Sequence, residues 1–444
     1  GKLEAGFGDH GLIRSTGSVR TKAVDGEVSA YVDAALFQRD GYIDNLTTGQ
    51  KVDDVDQRFA RAGLRWIAND VASYSLRLLG GRSRNGAQPL VPLGGSKDTV
   101  TRAADGVIHV NSLGASLKGE FTLPAGILTS VTGVSDWQLE PYTNVLEIGV
   151  SLDSEILQKQ RQWSQAFRWI AASGSAVDWH AGLFVGGTDT DGSISRGLTG
   201  LFLIEASAFT IEARTTALFG ETTFEISEAL SLTAGLRLER TQKNYTRREI
   251  VPGNDRISDE QSYEIMHPRL QLDFALSDQA RLTTAVAVSG KPGGWSSFTG
   301  TRDLARFDPE RLVSLETGIH ANTADQTLRG SATVFGYAIQ DYQIERSFSA
   351  TDYLVVNAPR ATSVGGEIEL HWRPHRAWQF TAAAGWTDMT LREFTDPYDG
   401  ADYSGKRAPY APDYTLAVGA AWQSNIGWFA HTDMVTTGSV YYDN

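Results

Sequence analysis

The sequence contains no cysteine, which excludes disulfide scaffolds and zinc–thiolate sites. Long apolar runs are also missing, because no stretch approaches the roughly 18 residues that a membrane-spanning helix needs. A helical membrane protein is therefore excluded. Basic residues are in the minority, with 40 against 53 acidic residues and a net charge of −13. Since phosphate binding needs a positive surface, nucleic acid is not a predicted partner.

Catalytic signatures are absent as well. The sequence has no G-x-S-x-G elbow, phosphate-binding loop, H-E-x-x-H helix or dinucleotide fingerprint. This argues against an enzyme, and no catalytic residue, cofactor or metal site is predicted. Two acidic segments, residues 189–192 and 396–402, carry parts of a calcium-loop pattern. Neither offers a full ligand set, so we interpret their carboxylates, including Asp189 and Asp396, as solvated loop charge.

Period-two alternation is the dominant pattern in the chain, whereas helical periodicity is scarce. From residue 230 to residue 239, leucine and alanine occupy every even position, and serine, threonine, glycine, arginine and glutamate occupy the odd ones. Similar alternation covers residues 28–36, 269–276 and 367–373. Successive side chains of a strand point to opposite faces. These segments therefore predict an all-β protein whose strands have one apolar face and one polar face.

Connections of two lengths alternate between the predicted strands. Short turns are expected at residues 25–26, 68–71, 124–126, 173–176, 227–229, 277–279, 323–325, 374–376 and 424–426. Long loops rich in glycine, aspartate and threonine are expected at residues 40–54, 83–106, 140–157, 188–210, 244–262, 292–308 and 393–409. A transmembrane antiparallel up-and-down β-barrel has this asymmetry, with short periplasmic turns and long extracellular loops. A soluble sandwich or propeller has no reason to sort its loops in this way.

Tryptophan placement favours the same architecture. Of the eleven tryptophans, seven lie within a few residues of a predicted short turn: Trp66, Trp169, Trp179, Trp372, Trp378, Trp422 and Trp428. Indole rings favour the membrane–water interface, so these residues predict a girdle at one rim. The pattern yields about nineteen strands, each near or above the roughly ten residues that cross a bilayer at a tilt. Because bacterial single-chain barrels close with an even number of strands, a C-terminal piece is expected to be missing.

The barrel prediction assigns roles to particular side chains. A mid-membrane arginine facing lipid would cost roughly 2 to 4 kcal/mol, so the charged residues of the alternating segments are predicted to line the interior: Arg237, Glu239, Asp273, Glu367, Glu369 and Arg373. Ligand contacts are expected on the long-loop side, where aromatic rings supply contact area and arginine recognises carboxylate or phosphate. The candidates are Trp137, Tyr142, Trp295, Phe298, Arg302, Arg306, Tyr398, Tyr403 and Arg407. The alternative is that the loop residues pack the loops together and that the interior charges meet only water.

Several ordered motifs resemble those of the TonB-dependent outer-membrane receptors. Residues 290–295 resemble the GxKPGGF loop of that family, and residues 307–318 resemble its FxPE and ExG pattern. Residues 39–45 resemble its RDGYxxN segment, and residues 164–168 resemble its SQExR segment, with Ala166 where glutamate is usual. The resemblance spans essentially the whole chain and keeps the order and spacing of the motifs.

This resemblance implies an outer-membrane active-transport receptor of a Gram-negative bacterium. Such a receptor binds a scarce solute at its extracellular loops, with a ferric siderophore as the default, and imports it with energy transduced by TonB. The implied partners are outer-membrane lipid, the small-molecule ligand, and TonB acting through an N-terminal plug domain that the interior charges would hydrogen-bond. Family barrels have about 22 strands, so residues 1–444 are expected to be an incomplete barrel domain without its plug. A passive porin-like channel is the alternative reading of a polar interior without a plug.

Overall fold

β-Strands make up most of the computed structural model, which describes residues 1–21, 27–87, 94–147, 150–172, 177–251, 253, 255–299, 305–349 and 352–442. Within these ranges no helix is long and apolar enough to cross a lipid bilayer. The strands are, in chain order, β1 (Lys2–Gly8), β2 (Leu12–Arg20), β3 (Val28–Arg39), β4 (Ile43–Asn45), β5 (Lys51–Val52), β6 (Val55–Ile67), β7 (Ala72–Gly86), β8 (Thr99–Val100), β9 (Val107–Leu123), β10 (Gly126–Glu147), β11 (Ser151–Ala171), β12 (Asp178–Leu198), β13 (Phe202–Ser227), β14 (Leu230–Val251), β15 (Arg256–Ser277), β16 (Ala280–Lys291), β17 (Gly294–Trp295), β18 (Arg306–Phe307), β19 (Glu310–Asn322), β20 (Leu328–Ser349), β21 (Asp352–His375), β22 (Trp378–Glu393), β23 (Tyr414–Gln423) and β24 (Phe429–Thr437).

Nineteen of these strands form one antiparallel sheet. Each pairs with its neighbours along the chain, in the order β1, β2, β3, β6, β7, β9 to β16, and β19 to β24. Within the described ranges β1 and β24 each pair on one side. The small strand β4 pairs antiparallel with β5 and parallel with β8, and β17 pairs with β18. The predicted all-β, up-and-down arrangement and the number of strands are confirmed.

The two ends of the sheet differ in the length of their connections. At one end, which we call the short-turn end, β13 and β14 are joined by residues 228–229, and β15 and β16 by residues 278–279. At the opposite end, the long-loop end, residues 292–309 join β16 to β19 and residues 394–413 join β22 to β23. The predicted sorting of connections by length is confirmed for the long connections after β3, β7, β16 and β22. The predicted turns 25–26 and 173–176 lie outside the described residues.

Three of the predicted long loops are wrong. The segments 140–157, 188–210 and 244–262 are mostly β-strand, because β10 to β15 continue as paired ladders far beyond the alternating segments. At the long-loop end, only residues 148–150, 199–201 and 252–255 lie between these pairs of strands. A ladder satisfies backbone hydrogen bonds whatever the side chains are. Where neither face meets lipid, no apolar alternation is needed, so these extensions carry no alternating strand pattern in the sequence.

The long strands have one apolar and one polar face, as β14 shows. Leu236 and Leu238 are each more than 40% exposed, whereas the intervening Arg237 is half-buried. The register places Leu238 between Leu218 of β13 and Met266 of β15, so the apolar face is continuous from strand to strand. An exposed apolar surface of this extent fits hydrocarbon rather than water.

A belt of ion pairs ends the apolar face toward the long-loop end. Arg240 follows Leu238 on the same face of β14 and lies 3.9 Å from Glu264 of β15. Further ion pairs on the same outward face, toward the long-loop end of β10 to β13, are Arg161–Asp136 at 3.1 Å, Lys159–Glu140 at 2.8 Å and Arg214–Asp189 at 2.7 Å. On β14 the apolar face covers the nine residues from Leu230 to Leu238, about the length with which a tilted strand crosses a bilayer. The belt therefore marks the upper limit of the lipid-facing band.

The seven tryptophans of the predicted girdle lie at the short-turn end. Trp179 and Trp378 lie at the starts of β12 and β22, and Trp66 and Trp372 lie near the ends of β6 and β21. The ring of Trp378 is 6.3 Å from that of Trp422 on the adjacent strand β23. These rings flank the apolar face on the side opposite the ion-pair belt, so both limits of the band are marked.

Candidate ligand-binding chamber

A cavity of about 940 Å³, which we call the chamber, lies at the long-loop end. Its walls come from the extensions of β10 to β14, from residues 295–298 and from the tip of the β20–β21 hairpin around Tyr353. The chamber is thus built where the strands extend beyond the ion-pair belt. Its side chains combine aromatic rings with amide and hydroxyl groups.

Glutamine and threonine side chains form one wall of the chamber. Gln158, Gln160 and Gln162 share a face of β11 because they are two residues apart, and the register sets Gln160 opposite Thr190 of β12. The Gln162 amide donates to Gln160 Oε1 over 2.9 Å, and the Gln160 amide donates to Thr190 Oγ1 over 3.3 Å. Amide groups both donate and accept hydrogen bonds. This wall therefore offers both kinds of partner to an uncharged polar ligand.

The connection between β16 and β19 folds back against the upper part of β14 and supplies the aromatic wall. The Trp295 ring stacks on the Tyr245 ring with centroids 4.9 Å apart and an angle of 12° between the planes. The Trp295 indole N–H donates to Asp259 Oδ2 over 3.0 Å. Phe298 meets Phe209 edge to face, with centroids 5.1 Å apart. Both contacts are favourable aromatic geometries, and they fix the Trp295 and Phe298 rings in the wall of the chamber.

Basic residues of the strand extensions anchor the backbone of the same connection. Lys243 Nζ donates to the Gly293 carbonyl over 2.6 Å, Arg247 Nη1 donates to the Ser297 carbonyl over 3.2 Å, and Arg196 Nη2 donates to the Phe298 carbonyl over 2.8 Å. Backbone carbonyls accept charge-assisted hydrogen bonds from these cations. The three cations therefore determine where the aromatic rings of residues 295–298 lie.

A buried charge network stands behind these anchors. Arg247 is only 1% exposed, and its Nε lies 2.6 Å from Glu249 Oε1 and its Nη2 lies 3.7 Å from Glu205 Oε1. Arg196 pairs with the same Glu205 at 2.6 Å. Two arginines and two glutamates thus balance one another, which buried charges require.

The glycine of the KPGG motif that meets the backbone most closely is Gly293. A Cβ there would lie 2.4 Å from the Phe307 carbonyl oxygen and 2.5 Å from the Tyr263 hydroxyl. No side chain larger than hydrogen fits without moving backbone. The motif that carried the family resemblance is therefore needed for the close approach of this connection to β15 and β18.

The second long connection, residues 394–413, packs away from the chamber. Asp396 is buried and lies 2.8 Å from the Nε of buried Arg346, whose guanidinium is 4.7 Å from the Tyr403 ring centroid. The interpretation of Asp396 as solvated charge is wrong, since an ion pair satisfies it inside the loop. Hydrogen bonds from Ser404 lower the pKa of the nearby Asp402 carboxyl. Phe394 and Tyr403 pack with buried residues of β20 to β22, such as Ile344, so the connection is held against these strands.

The chamber brings together three of the nine predicted ligand contacts, Tyr142, Trp295 and Phe298. Trp137 lies on β10 directly opposite Gln160 but does not line the chamber, and Arg306 is exposed and lies 3.6 Å from Asp259. Tyr398, Tyr403 and Arg407 belong to the second connection, where Arg407 pairs with Asp413 at 2.8 Å. Arg302 lies outside the described residues.

Sequence reasoning missed Arg196, Lys243, Arg247 and the glutamine wall. A signal for Lys243 and Arg247 was present, because both continue the odd-numbered polar series that starts at Arg237 on β14. No comparable signal marked Arg196, which lies in a segment predicted to be a loop.

The residues predicted to line the interior lie on the polar face or at the short-turn end. A second cavity, of about 1350 Å³ at the short-turn end, is lined by Asp273, Glu369 and Arg373. The Asp273 carboxylate accepts hydrogen bonds from Thr283 and Gln271, each over 2.6 Å. The remaining three are Arg237 and Glu239, paired at 2.6 Å, and Glu367, opposite Thr333 in the register.

The chain is similar to known receptors over its whole length. A family model described as TonB dependent receptor-like, beta-barrel matches residues 7–444. The chain therefore belongs to the family of TonB-dependent receptors. It is a transmembrane β-barrel of the Gram-negative outer membrane, with short periplasmic turns and long extracellular loops.

Solved structures of low sequence identity share this fold. The ferric yersiniabactin uptake receptor FyuA from Yersinia pestis superimposes with a TM-score of 0.86 at 18% identity, over 99% of this chain and 68% of that one. The siderophore receptor PiuA from Acinetobacter baumannii gives a TM-score of 0.81 at 13% identity, over 99% of this chain and 72% of that one. The ferric-catecholate import receptor Fiu from E. coli gives 0.75 at 13% identity, over 98% and 71%. At these identities the likeness defines the fold.

Proposed function

We propose that this chain is the barrel of an active importer, which binds a ferric siderophore in the chamber and releases it toward the periplasm. The observation that carries this proposal is the chamber itself, a concave site of about 940 Å³ that opens at the extracellular end. Ligand sites of this size, lined by aromatic rings and a few polar groups, bind small molecules. The solved relatives named above support iron chelates as the solute, since their names describe siderophore or ferric-chelate receptors.

Within this proposal Tyr142, Trp295 and Phe298 contact the solute, and Gln160 hydrogen-bonds it. Arg247 and Arg196 hold the aromatic residues in place through the backbone of residues 297–298. The predicted contacts in the second connection have a structural role instead, because Tyr403 and Arg407 already have partners within the protein.

The proposal also assigns the polar face of the barrel. Arg237, Glu239, Asp273, Glu367, Glu369 and Arg373 would line the interior and hydrogen-bond a plug domain through which TonB acts. The polar cavity at the short-turn end supports this assignment, because it presents both signs of charge toward the periplasm. No bond of the solute is made or broken in such a cycle, so the receptor needs no catalytic residue and no cofactor.

Iron uptake in cells tests the proposal. The receptor that contains this chain is expressed in a Gram-negative strain lacking its own ferric-siderophore receptors, and uptake of radioactive ferric chelates is measured with TonB active and inactive. Saturable uptake that stops without TonB is expected. Uptake that persists without TonB, together with an open-pore conductance in planar bilayers, would show a passive porin-like channel instead.

A further inference from the structure

The charge of the chamber selects among the chelates that the proposed function allows. Among the described lining residues, Arg196, Lys243 and Glu345 carry formal charge. Arg196 is neutralised by Glu205 at 2.6 Å, and Lys243 and Glu345 have opposite charges. The described lining of the chamber is therefore close to neutral.

Lys243 is the one cation of the described lining that no described carboxylate pairs with. Its ammonium group donates to the Gly293 carbonyl over 2.6 Å and contributes a single positive charge. One ammonium group cannot balance several negative charges that lose their water on entering the chamber. The long-range field adds to this effect, since the chain has a net charge of −13 and repels anions.

The uncharged groups of the chamber fit a neutral ligand rich in oxygen. Gln158, Gln160 and Gln162 project amide groups from one face of β11, with Thr188 and Thr190 on the adjacent strand. Amide and hydroxyl hydrogens donate to carbonyl and N–O oxygens without any need for a counter-charge. Trp295 and Phe298 cover the apolar parts of such a ligand on the opposite side.

Resting on the proposed function, we propose that the solute is an electrically neutral ferric tris-hydroxamate rather than a ferric tris-catecholate. In a tris-hydroxamate the hydroxamate anions balance the ferric ion, and their oxygens and the linking amides remain available as acceptors. A tris-catecholate keeps a triply negative charge, which the single unpaired ammonium group of the described lining does not balance.

Binding of two chelates to the purified, detergent-solubilised receptor tests this inference. Isothermal titration calorimetry compares ferrichrome, a neutral tris-hydroxamate, with ferric enterobactin, a tris-catecholate. Ferrichrome is expected to bind at least about tenfold more tightly, and its Kd is expected to change less than about twofold between roughly 0.05 M and 0.5 M salt, since screening acts on charged ligands. Tighter binding of ferric enterobactin, or a steep salt dependence for ferrichrome, overturns the inference.

Matched variants connect the result to the chamber. Gln160→Leu removes a chamber amide, whereas Gln138→Leu removes an amide on the outer face of β10, where Gln138 donates to Asp136 over 2.7 Å. Gln160→Leu is expected to weaken ferrichrome binding about tenfold, because an oxygen of the ligand loses its hydrogen-bond donor. Gln138→Leu is expected to leave ferrichrome binding unchanged. Equal effects of the two variants contradict binding at this wall.

Failure of this inference is distinguishable from failure of the proposed function. TonB-dependent uptake of ferric enterobactin without uptake of ferrichrome refutes the neutral ligand and leaves the importer standing. Absence of TonB-dependent uptake for every ferric chelate tested refutes the importer, and the inference with it.

Discussion

Trp295 lies flat on Tyr245, with ring centroids 4.9 Å apart and 12° between the ring planes. This contact joins the connection between β16 and β19 to the extension of β14, and Trp295 is only 8% exposed. The stack therefore determines how far the connection reaches over the chamber. It also places Trp295, the last residue of the family motif at residues 290–295, in the wall of the chamber.

Replacing the stacked ring should weaken ligand binding. Trp295→Ala removes the stack, which is worth about 0.5–1.5 kcal/mol beyond the area it buries, and it removes one wall of the chamber. We expect the Kd for the solute to rise at least about tenfold, measured by calorimetry. Trp428→Ala is the matched control, because Trp428 is exposed at the short-turn end. An equal loss of affinity in both variants would show that Trp295 has no specific role.

Removing the charge of Arg247 should destabilise the buried network of arginines and glutamates. Arg247→Met leaves Glu249 and Glu205 with one cation between them, so we expect the extracellular extension of β13 and β14 to be destabilised by about 3–5 kcal/mol. Hydrogen exchange of these strand extensions measures the effect. Arg161→Met serves as control, because Arg161 is 81% exposed in its pair with Asp136 and such pairs contribute about 1 kcal/mol or less. A second change, Glu249→Gln, should partly restore protection, and no restoration would argue against the charge balance.

Steric fit at the KPGG motif gives a third prediction. Gly293→Ala places a Cβ within 2.4 Å of the Phe307 carbonyl oxygen, and overpacking of this kind costs about 1–3 kcal/mol. The connection should then move off β14 and become sensitive to limited proteolysis. Gly336→Ala is the comparison, because nothing lies within 4 Å of a Cβ at that position. Unchanged protease resistance in Gly293→Ala would contradict the close approach.

The ion-pair belt predicts where the lipid-facing band ends. Ala234, at the middle of the apolar face, and Gln242, beyond Arg240, share the outward face of β14. Ala234→Arg should destabilise the barrel in lipid vesicles by about 2–4 kcal/mol, whereas Gln242→Arg should cost about 0–1 kcal/mol. Denaturant-induced unfolding in vesicles provides both values. If the two costs are equal, the belt does not mark the membrane surface.

The membrane-spanning part of the fold could be predicted because lipid imposes a pattern. Residues 230–239 alternate strictly, since every side chain on one face meets hydrocarbon and every side chain on the other does not. Beyond Arg240 both faces of β14 meet water or protein. The alternation therefore stops, and residues 244–262 were predicted to be a loop although β14 and β15 continue to pair there.

The candidate site could be predicted only in part. Trp295 and Phe298 were expected near the ligand because aromatic residues stood beside a glycine-rich motif, and the structure places both in the chamber. Tyr403 and Arg407 satisfied the same criterion but pack against Arg346 and Asp413. Composition does not distinguish a ring that lines a cavity from a ring that packs a connection against the strands.

The sequence by itself determined the all-β class, the two faces of the membrane-spanning strands, four of the long connections and the family, because all of these follow from local periodicity or short motifs. Only the tertiary structure decided that the connection after β16 turns inward to Tyr245 and Arg247, and that the walls of β11 and β12 contribute amides beside it. Such contacts depend on strand register and on the direction in which a long connection folds. Both are set by packing between segments that are distant in the chain, and no local sequence pattern predicts that packing.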